Sequence, residues 1–259
     1  MLVEVKGLVI RTVDIKESDR LIVIFTEEMG AVTALARGAR SLKSRKMSST
    51  MQFCYSSFVL FKKDDKYTVK EAELIESFFG VRESLDALAL AAYISEVLSD
   101  VTTAECDRDL LRLSLNSLYA ISEKTHPLTI IKAAFEIRAV SVLGFMPDVT
   151  SCTECGRRDG EFFFDIMGGH IECPDCRRQR AQTYIPDAED RERHIVRILS
   201  EGARQALEYC IHCPIERIFS FRLAEEDTRL FVAAAEEYLI NQLERPFKTL
   251  DFYNQVKRN

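Results

Sequence analysis

The chain of 259 residues has no apolar run approaching the ~18–20 residues that a membrane-spanning helix needs. Its opening stretch, MLVEVKGLVIRTVD, interrupts each short apolar run with charge and does not fit a secretory signal. There is no internal repeat and no low-complexity segment, so neither a solenoid nor a disordered chain is expected. Also missing are a phosphate-cradling glycine loop, a nucleophile motif and a carboxylate cluster with divalent-metal spacing. The four histidines, His126, His170, His194 and His212, are scattered and suggest no shared site. These absences argue against an enzyme such as a nuclease or a thiol oxidoreductase, and against a small-molecule substrate or a membrane partner. A cytoplasmic protein is expected, and there thiols stay reduced. Eight cysteines in that setting point to metal or free thiols before disulfides.

The composition, 47% hydrophobic and 29% charged, is that of a soluble globular protein with roughly two domains. The net charge of −6 conceals a gradient: residues 1–80 sum to +2, 81–150 to −4, 151–180 to −1 and 181–259 to −3. Screening confines each field to within ~8 Å, so a polyanion site is permitted only in the first part of the chain.

Residues 1–80 contain five short runs rich in Val, Ile, Thr, Phe and Tyr, namely VEVKGLVIRT, RLIVIFTEE, AVTALAR, QFCYSSFVLFK and KYTVKEAELIE. Five strands without a helical repeat predict a small closed barrel of OB type, with an SH3-like barrel as the competitor. From about residue 82 the period becomes helical. RESLDALALAAYISEVLSDV, DRDLLRLSLNSLYAIS and HPLTIIKAAFEIRAVSVLG carry apolar core stripes, the third along Ile130, Ala134, Ile137 and Ser141. Helical character returns in RERHIVRILSEGARQALEYC and EDTRLFVAAAEEYLINQLER. The expected fold is α+β and multidomain: an N-terminal OB-fold barrel over 1–80, a helical domain over 81–149 and 181–259, and a zinc-ribbon-like insertion over 150–180.

That insertion rests on Cys152, Cys155, Cys173 and Cys176, two CxxC pairs separated by 17 residues. Two residues between thiolates let one tight turn offer both sulfurs to a tetrahedral ion, and the whole spacing is that of a four-thiolate zinc site. Between the pairs, EFFFDIMGGHIE reads as a hairpin that brings the knuckles together. A shell of four cysteines leaves no open position for water, so one structural Zn(II) per chain is expected rather than a catalytic or redox site. Zinc with four thiolates adds about −2, which makes the segment a poor DNA anchor unless Arg157, Arg158, Arg177, Arg178 and Arg180 surround it. Cys210 and Cys213 form a further CxxC with no second half nearby; a partner would have to be Cys54, Cys106 or another chain. They read as buried thiols at a helix end.

ARGARSLKSRKMSS, Ala36 to Ser49, carries Arg37, Arg40, Lys43, Arg45 and Lys46 with no acidic residue. It connects the third and fourth strands, where a flexible loop is expected to close over a single strand lying along the barrel. The lysines and arginines would contact phosphates, and Gly38 would allow close backbone approach. A solvated basic loop is the plainer reading. Phe53, Tyr55, Phe58 and Phe61 of the fourth strand are candidates for base stacking, with core packing favoured for each.

These residues carry a resemblance. GLVIRTVDIKESDRLIVIFTEEMGAVTALARGARSLKSR is similar to the N-terminal domain of the RecO family of bacterial DNA repair and recombination mediators. The matching features are Gly7–Arg11, Glu17–Leu21 and GAVTALARGAR; LGFMPDVTSCTECG and GGHIECPDC resemble that family's passage into its zinc segment. The resemblance implies binding of single- and double-stranded DNA, annealing of complementary strands, and loading of RecA onto strands coated with single-strand-binding protein, together with RecR. It implies a nucleoid-associated protein without catalytic residues. Carried over by position, the DNA contacts are Arg11, Arg20, Arg37, Arg40, Lys43, Arg45 and Lys46. A net +2 makes that patch local, and the acidic helical body is expected to face protein partners. The alternative is a zinc-containing interaction module docking on a replication or transcription protein, with DNA contact incidental.

Overall fold

The computed structural model describes residues 1–101, 108–183 and 195–257. The chain forms two compact units, Met1–Thr125 with Phe247–Asn259, and His126–Pro246.

The first unit begins with five strands: β1 (Leu2–Ile15), β2 (Asp19–Thr26), β3 (Gly30–Ala36), β4 (Tyr55–Lys63) and β5 (Lys66–Glu76). They close into a barrel in the order β1-β2-β3-β5-β4. This is the OB-like topology, not the SH3-like competitor. Alternation builds the interior. In β4, Ser56, Phe58 and Leu60 turn inward and are fully buried, and Phe58 and Leu60 share one cluster with Val9, Ile22, Ile24 and Val69. Burying each large apolar side chain stabilises by about 1.5–3 kcal/mol. β1 departs from alternation, because Leu8, Val9 and Ile10 are all buried. A register shift between Val9 and Arg11 breaks the two-residue period there, and α1 (Leu85–Val101) packs against the same strand. Within the barrel β3 and β5 pair in parallel, through two residue pairs, Ala34–Tyr67 and Leu35–Thr68.

Beyond the barrel come α1 and α2 (Arg108–Ser122); of their expected stripes Leu90, Ile94, Val97, Leu111 and Leu118 are buried, while Val101 and Leu115 are half-buried. α7 (Lys248–Val256) packs on α1. Tyr93 and Phe247 meet edge to face at 5.7 Å, and Glu96 accepts the Thr249 amide at 2.9 Å.

In the second unit α3 (Leu128–Val142) packs against α5 (Glu201–His212) and α6 (Glu225–Gln242). Ile130, Ala134, Ile137 and Ser141 are buried as the periodicity predicts. Periodicity did not reveal the buried Lys132–Glu136 ion pair on the same helix, to which α6 adds the half-buried Glu236. Lys132 Nζ lies 2.7 Å from Glu136 and 2.7 Å from Glu236. A small sheet, β7-β6-β8, joins β6 (Phe162–Asp165), β7 (His170–Glu172) and β8 (Val196–Leu199). β6 and β7 are the expected hairpin, turning at Gly168-Gly169.

The continuous helix expected from Arg191 to Cys210 is corrected. Val196–Leu199 is a strand paired with β6, and α5 starts only at Glu201, with Ser200 Oγ accepting the Ala203 amide. The β-branched run Ile195-Val196-Arg197-Ile198 suits a strand, and Ser200 is a strong N-cap. Residues 191–194, His194 among them, lie outside the described residues.

Candidate nucleic-acid interface and metal centre

The segment between β3 and β4 is a chain of turns anchored at both of its ends. Its start is tied to the β1–β2 hairpin. Gly38 sits at φ +65°, where a side chain would be strained, and its amide donates to Asp19 Oδ1 at 2.8 Å. Nothing approaches Gly38 within side-chain reach, so its glycine answers to backbone conformation rather than to space. Its end is tied to β5 and β1. Ser49 and Thr50 are buried; Thr50 Oγ1 donates to the Lys46 carbonyl at 2.7 Å, and Ser49 Oγ to the Ala72 carbonyl at 3.4 Å. Phe53, at φ +66°, donates its amide to the Val9 carbonyl at 2.8 Å, and Gln52 Nε2 reaches the Ile10 carbonyl at 3.0 Å. Arg82 donates to the Gln52 carbonyl and stacks on the Phe53 ring. Side chains thus satisfy backbone groups of β5 on the side where the parallel seam with β3 runs out.

The seven expected DNA contacts separate by environment. Arg11, Arg37, Lys43 and Arg45 are exposed and carry no ion pair among the described residues. Arg20 and Arg40 are tied to one carboxylate. Arg20 Nε lies 3.1 Å from Asp14 Oδ1 and Arg40 Nε 3.2 Å from Asp14 Oδ2. Arg20 also donates to the Thr50 carbonyl, and Arg40 to the carbonyls of Lys16 and Glu17. Lys46 is half-buried, and its Nζ donates to the Val69 carbonyl at 3.4 Å. Burial, and then the neighbouring Lys70, pull the Lys46 ammonium below the usual lysine range.

Phe53, expected in the fourth strand, lies in the turn before β4 and is buried, as is Phe58 within the strand. Tyr55 donates its hydroxyl to Glu27 at 2.6 Å, so its polar end is committed. Phe61 is half-buried on the outer face, with Lys70 Nζ 5.1 Å from its ring centre. Composition gave no sign that Lys62 and Lys70 would lie over Tyr67 and Phe61. Only the β4–β5 register, which sets Phe61 opposite Thr68, makes it visible.

In the second unit Cys152, Cys155, Cys173 and Cys176 converge, with all four Sγ atoms within 4.8 Å of one another. Cys155 and Cys173 Sγ are 3.7 Å apart. A tetrahedron with metal–sulfur bonds of about 2.3 Å has an edge of about 3.8 Å, so the sulfurs fit a four-thiolate ion. The first knuckle turns through Gly156, at φ +74°, whose amide closes on the Cys152 carbonyl at 2.9 Å. The second is the start of α4 (Pro174–Thr183), where the Cys176 amide points at Cys173 Sγ. The Cys173 amide points at Cys152 Sγ, 3.3 Å away. Burial raises the Cys152 thiol, yet the amides of Cys173, Cys155 and Glu154 outweigh it and bring it down to about 7. This donor set would hold a metal ion. Cys152 and Cys173 are buried while Cys155 is exposed, so the shell has an inner and an outer side. His170, half-buried in β7, is not part of the sulfur group.

Arg157, Arg177, Arg178 and Arg180 of this segment face carboxylates. Arg157 and Arg178 pair with Asp175, and Arg180 pairs with Glu172, while Arg177 lies 4.7 Å over the Phe163 ring. Cys210 and Cys213 are buried, as expected, and no metal-ligating group among the described residues includes them. Arg138 donates to the carbonyls of Cys210, Ile211 and Cys213, closing the end of α5. Cys54 is buried in the first unit, and Cys106 lies outside the described residues.

An OB-like barrel with a cationic loop, followed by helices that carry a four-cysteine clip, defines a two-part protein of known type. The family model described as recombination protein O, N terminal, matches residues 1–78, and its C-terminal counterpart matches residues 82–251. The chain is 36% identical over 256 residues to the DNA repair protein RecO of Acetivibrio thermocellus, covering 97% of this chain and 96% of that one. It is 26% identical over 257 residues to RecO of Clostridium acetobutylicum, covering 97% of each. RecO of Bacillus pumilus is 33% identical over 177 residues, 68% of this chain and 69% of that one. The chain belongs to the RecO family of DNA repair proteins.

Proposed function

We propose that this protein binds single- and double-stranded DNA through the basic loop of its barrel and anneals complementary strands. It works with RecR and single-strand-binding protein to help load RecA, as a cytoplasmic, nucleoid-associated mediator. The observation that carries the reading is the set of four exposed cations, Arg11, Arg37, Lys43 and Arg45, without ion pairs among the described residues, on and beside a loop pinned to an OB-like barrel. Arg40 adds a fifth, half-exposed cation, while Arg20 and Lys46 hold the loop as much as they face solvent.

Annealing requires no covalent step. Phosphate repulsion must fall while base edges stay free to pair. Cations on a pinned loop meet phosphates with little ordering cost, and each neutralised phosphate releases counterions. Four or five contacts give a log–log salt slope near −3 on single strands. Among the described residues no helix is long and apolar enough to cross a membrane. Cys152, Cys155, Cys173 and Cys176 hold one Zn(II), which supplies folding free energy and no open coordination position. The ion pairs of Arg157, Arg178 and Arg180 spend that segment's positive charge internally, which fits a segment turned to proteins rather than phosphates.

The test is strand annealing, with and without single-strand-binding protein, by wild type and by the Arg37→Glu/Arg40→Glu variant. The variant should lose affinity and show a shallower salt slope. Unchanged binding with an unchanged slope would sink the assignment. Annealing confined to low salt in both proteins would favour the interaction-module reading.

A further inference from the structure

Asp14 is the acidic residue that both Arg20 and Arg40 grip, and the proposed DNA contacts gave it no role. Each of its two oxygens takes one guanidinium Nε, at 3.1 Å and 3.2 Å. It stands on β1 directly across from Arg20 in the β1–β2 register, so the backbone fixes the first pair. Arg40 is brought to the same place by the turn that starts the basic loop, where its amide bonds to the Ser18 carbonyl at 3.0 Å. The Asp14 side chain is 49% exposed, so it meets the solvent that a nucleic acid would occupy. A carboxylate bridging two arginines in this way has the geometry and the charge sign of a phosphate contact.

We propose that Asp14 is a resident stand-in for phosphate that holds Arg20 and Arg40 in place and sets how strongly the interface binds DNA. This rests on the reading of the basic loop as the DNA interface. Asp14 meets one of the two guanidinium charges, so the pair releases fewer counterions when DNA arrives than two free arginines would. A DNA phosphate competes with Asp14 for them, against the Coulomb attraction between carboxylate and arginines. The open cations Arg11, Arg37, Lys43 and Arg45 then carry most of the salt dependence. An annealing protein must also release the duplex it makes, and a resident anion limits the grip.

The experiment measures binding of a fluorescent single-stranded oligonucleotide across a range of salt concentrations, for Asp14→Asn and wild type, with thermal melting as the control for folding. Neutralising Asp14 adds one net positive charge at the Arg20–Arg40 pair, so the log–log slope should steepen by about 0.7, and low-salt binding should tighten. Asp14→Glu restores the carboxylate and should return the slope toward the wild-type value. Asp14→Ser provides a second neutral variant should the asparagine variant fold poorly. Neutral variants that fold but bind more weakly, or with an unsteepened slope, would overturn the proposal. The loop reading is checked separately by Lys43→Glu/Arg45→Glu in the wild-type background. If that variant binds as wild type, the interface itself is misassigned. If it weakens binding while Asp14→Asn leaves the slope unchanged, only the role of Asp14 fails.

Discussion

The basic loop and the cysteine clip are both irregular stretches of turns, and each is held by a different physics. In the loop, many weak side-chain to carbonyl bonds act together: Thr50 and Ser49 on Lys46 and Ala72, Gln52 on Ile10, Arg82 on Gln52. Each contributes about 1 kcal/mol net, and losing one leaves the rest. In the clip, four sulfurs converge on one point, and the arrangement is sustained by whatever neutralises them. The first arrangement leaves charge on the outside for a ligand. The second turns its charge inward on itself. Redundant anchoring suits a surface that must stay in register while strands come and go, and convergent anchoring suits a brace.

The largest expected effect tests the convergent side. Cys152→Ser/Cys173→Ser removes the two buried sulfurs, and with them metal binding worth roughly 10 kcal/mol in comparable knuckles. Zinc per chain, read by native mass spectrometry, should fall to none, and amide exchange over residues 150–180 should rise sharply while the barrel stays protected. Zinc retained at one per chain would break the contrast. Next is Lys132→Met, which removes the ammonium between Glu136 and Glu236 and should cost about 3–5 kcal/mol in denaturant unfolding. A loss under 1 kcal/mol would mean that the triad is relaxed by water.

On the redundant side, Thr50→Val deletes one hydroxyl bond and should cost about 1 kcal/mol, with faster exchange over residues 44–51 and an unchanged salt slope for DNA. A collapse of binding from this one deletion would show that the loop depends on a keystone after all. The smallest effect is one of pH. Burial raises the Tyr238 hydroxyl to about 12, so the folded state keeps that proton after the unfolded chain gives it up near 10. Stability is whole below that lower value and should fall between pH 10 and 12, by an amount that Tyr238→Phe abolishes.

The strand runs of residues 1–76 and the CxxC spacing were readable because alternation and ligand count are local properties. The pinning of the loop was not, since Lys46 meets Val69 and Arg82 meets Gln52 through a barrel register that only the closed sheet defines. A tally of basic residues treated Arg20 like Arg37, yet Asp14 stands across a strand pair from the one and not the other. β8 was missed because Ile195, Val196 and Ile198 run straight into the capping residue of a helix, so two elements read as one apolar period. The buried Lys132 lies off the stripe Ile130, Ala134, Ile137 and Ser141, and its partner Glu236 is supplied by a helix about a hundred residues on.

The helix α7, packed on α1 through Phe247 and Thr249, has a consequence for synthesis. The barrel strands and α1 leave the ribosome well before α7, the partner that covers α1, has been made. During translation of everything between, α1 would wait with an apolar flank uncovered, a natural holding place for a chaperone. A chain stalled near residue 240 should keep the barrel amides protected and show rapid exchange in α1. Equal protection of the two would mean that α1 needs no late partner.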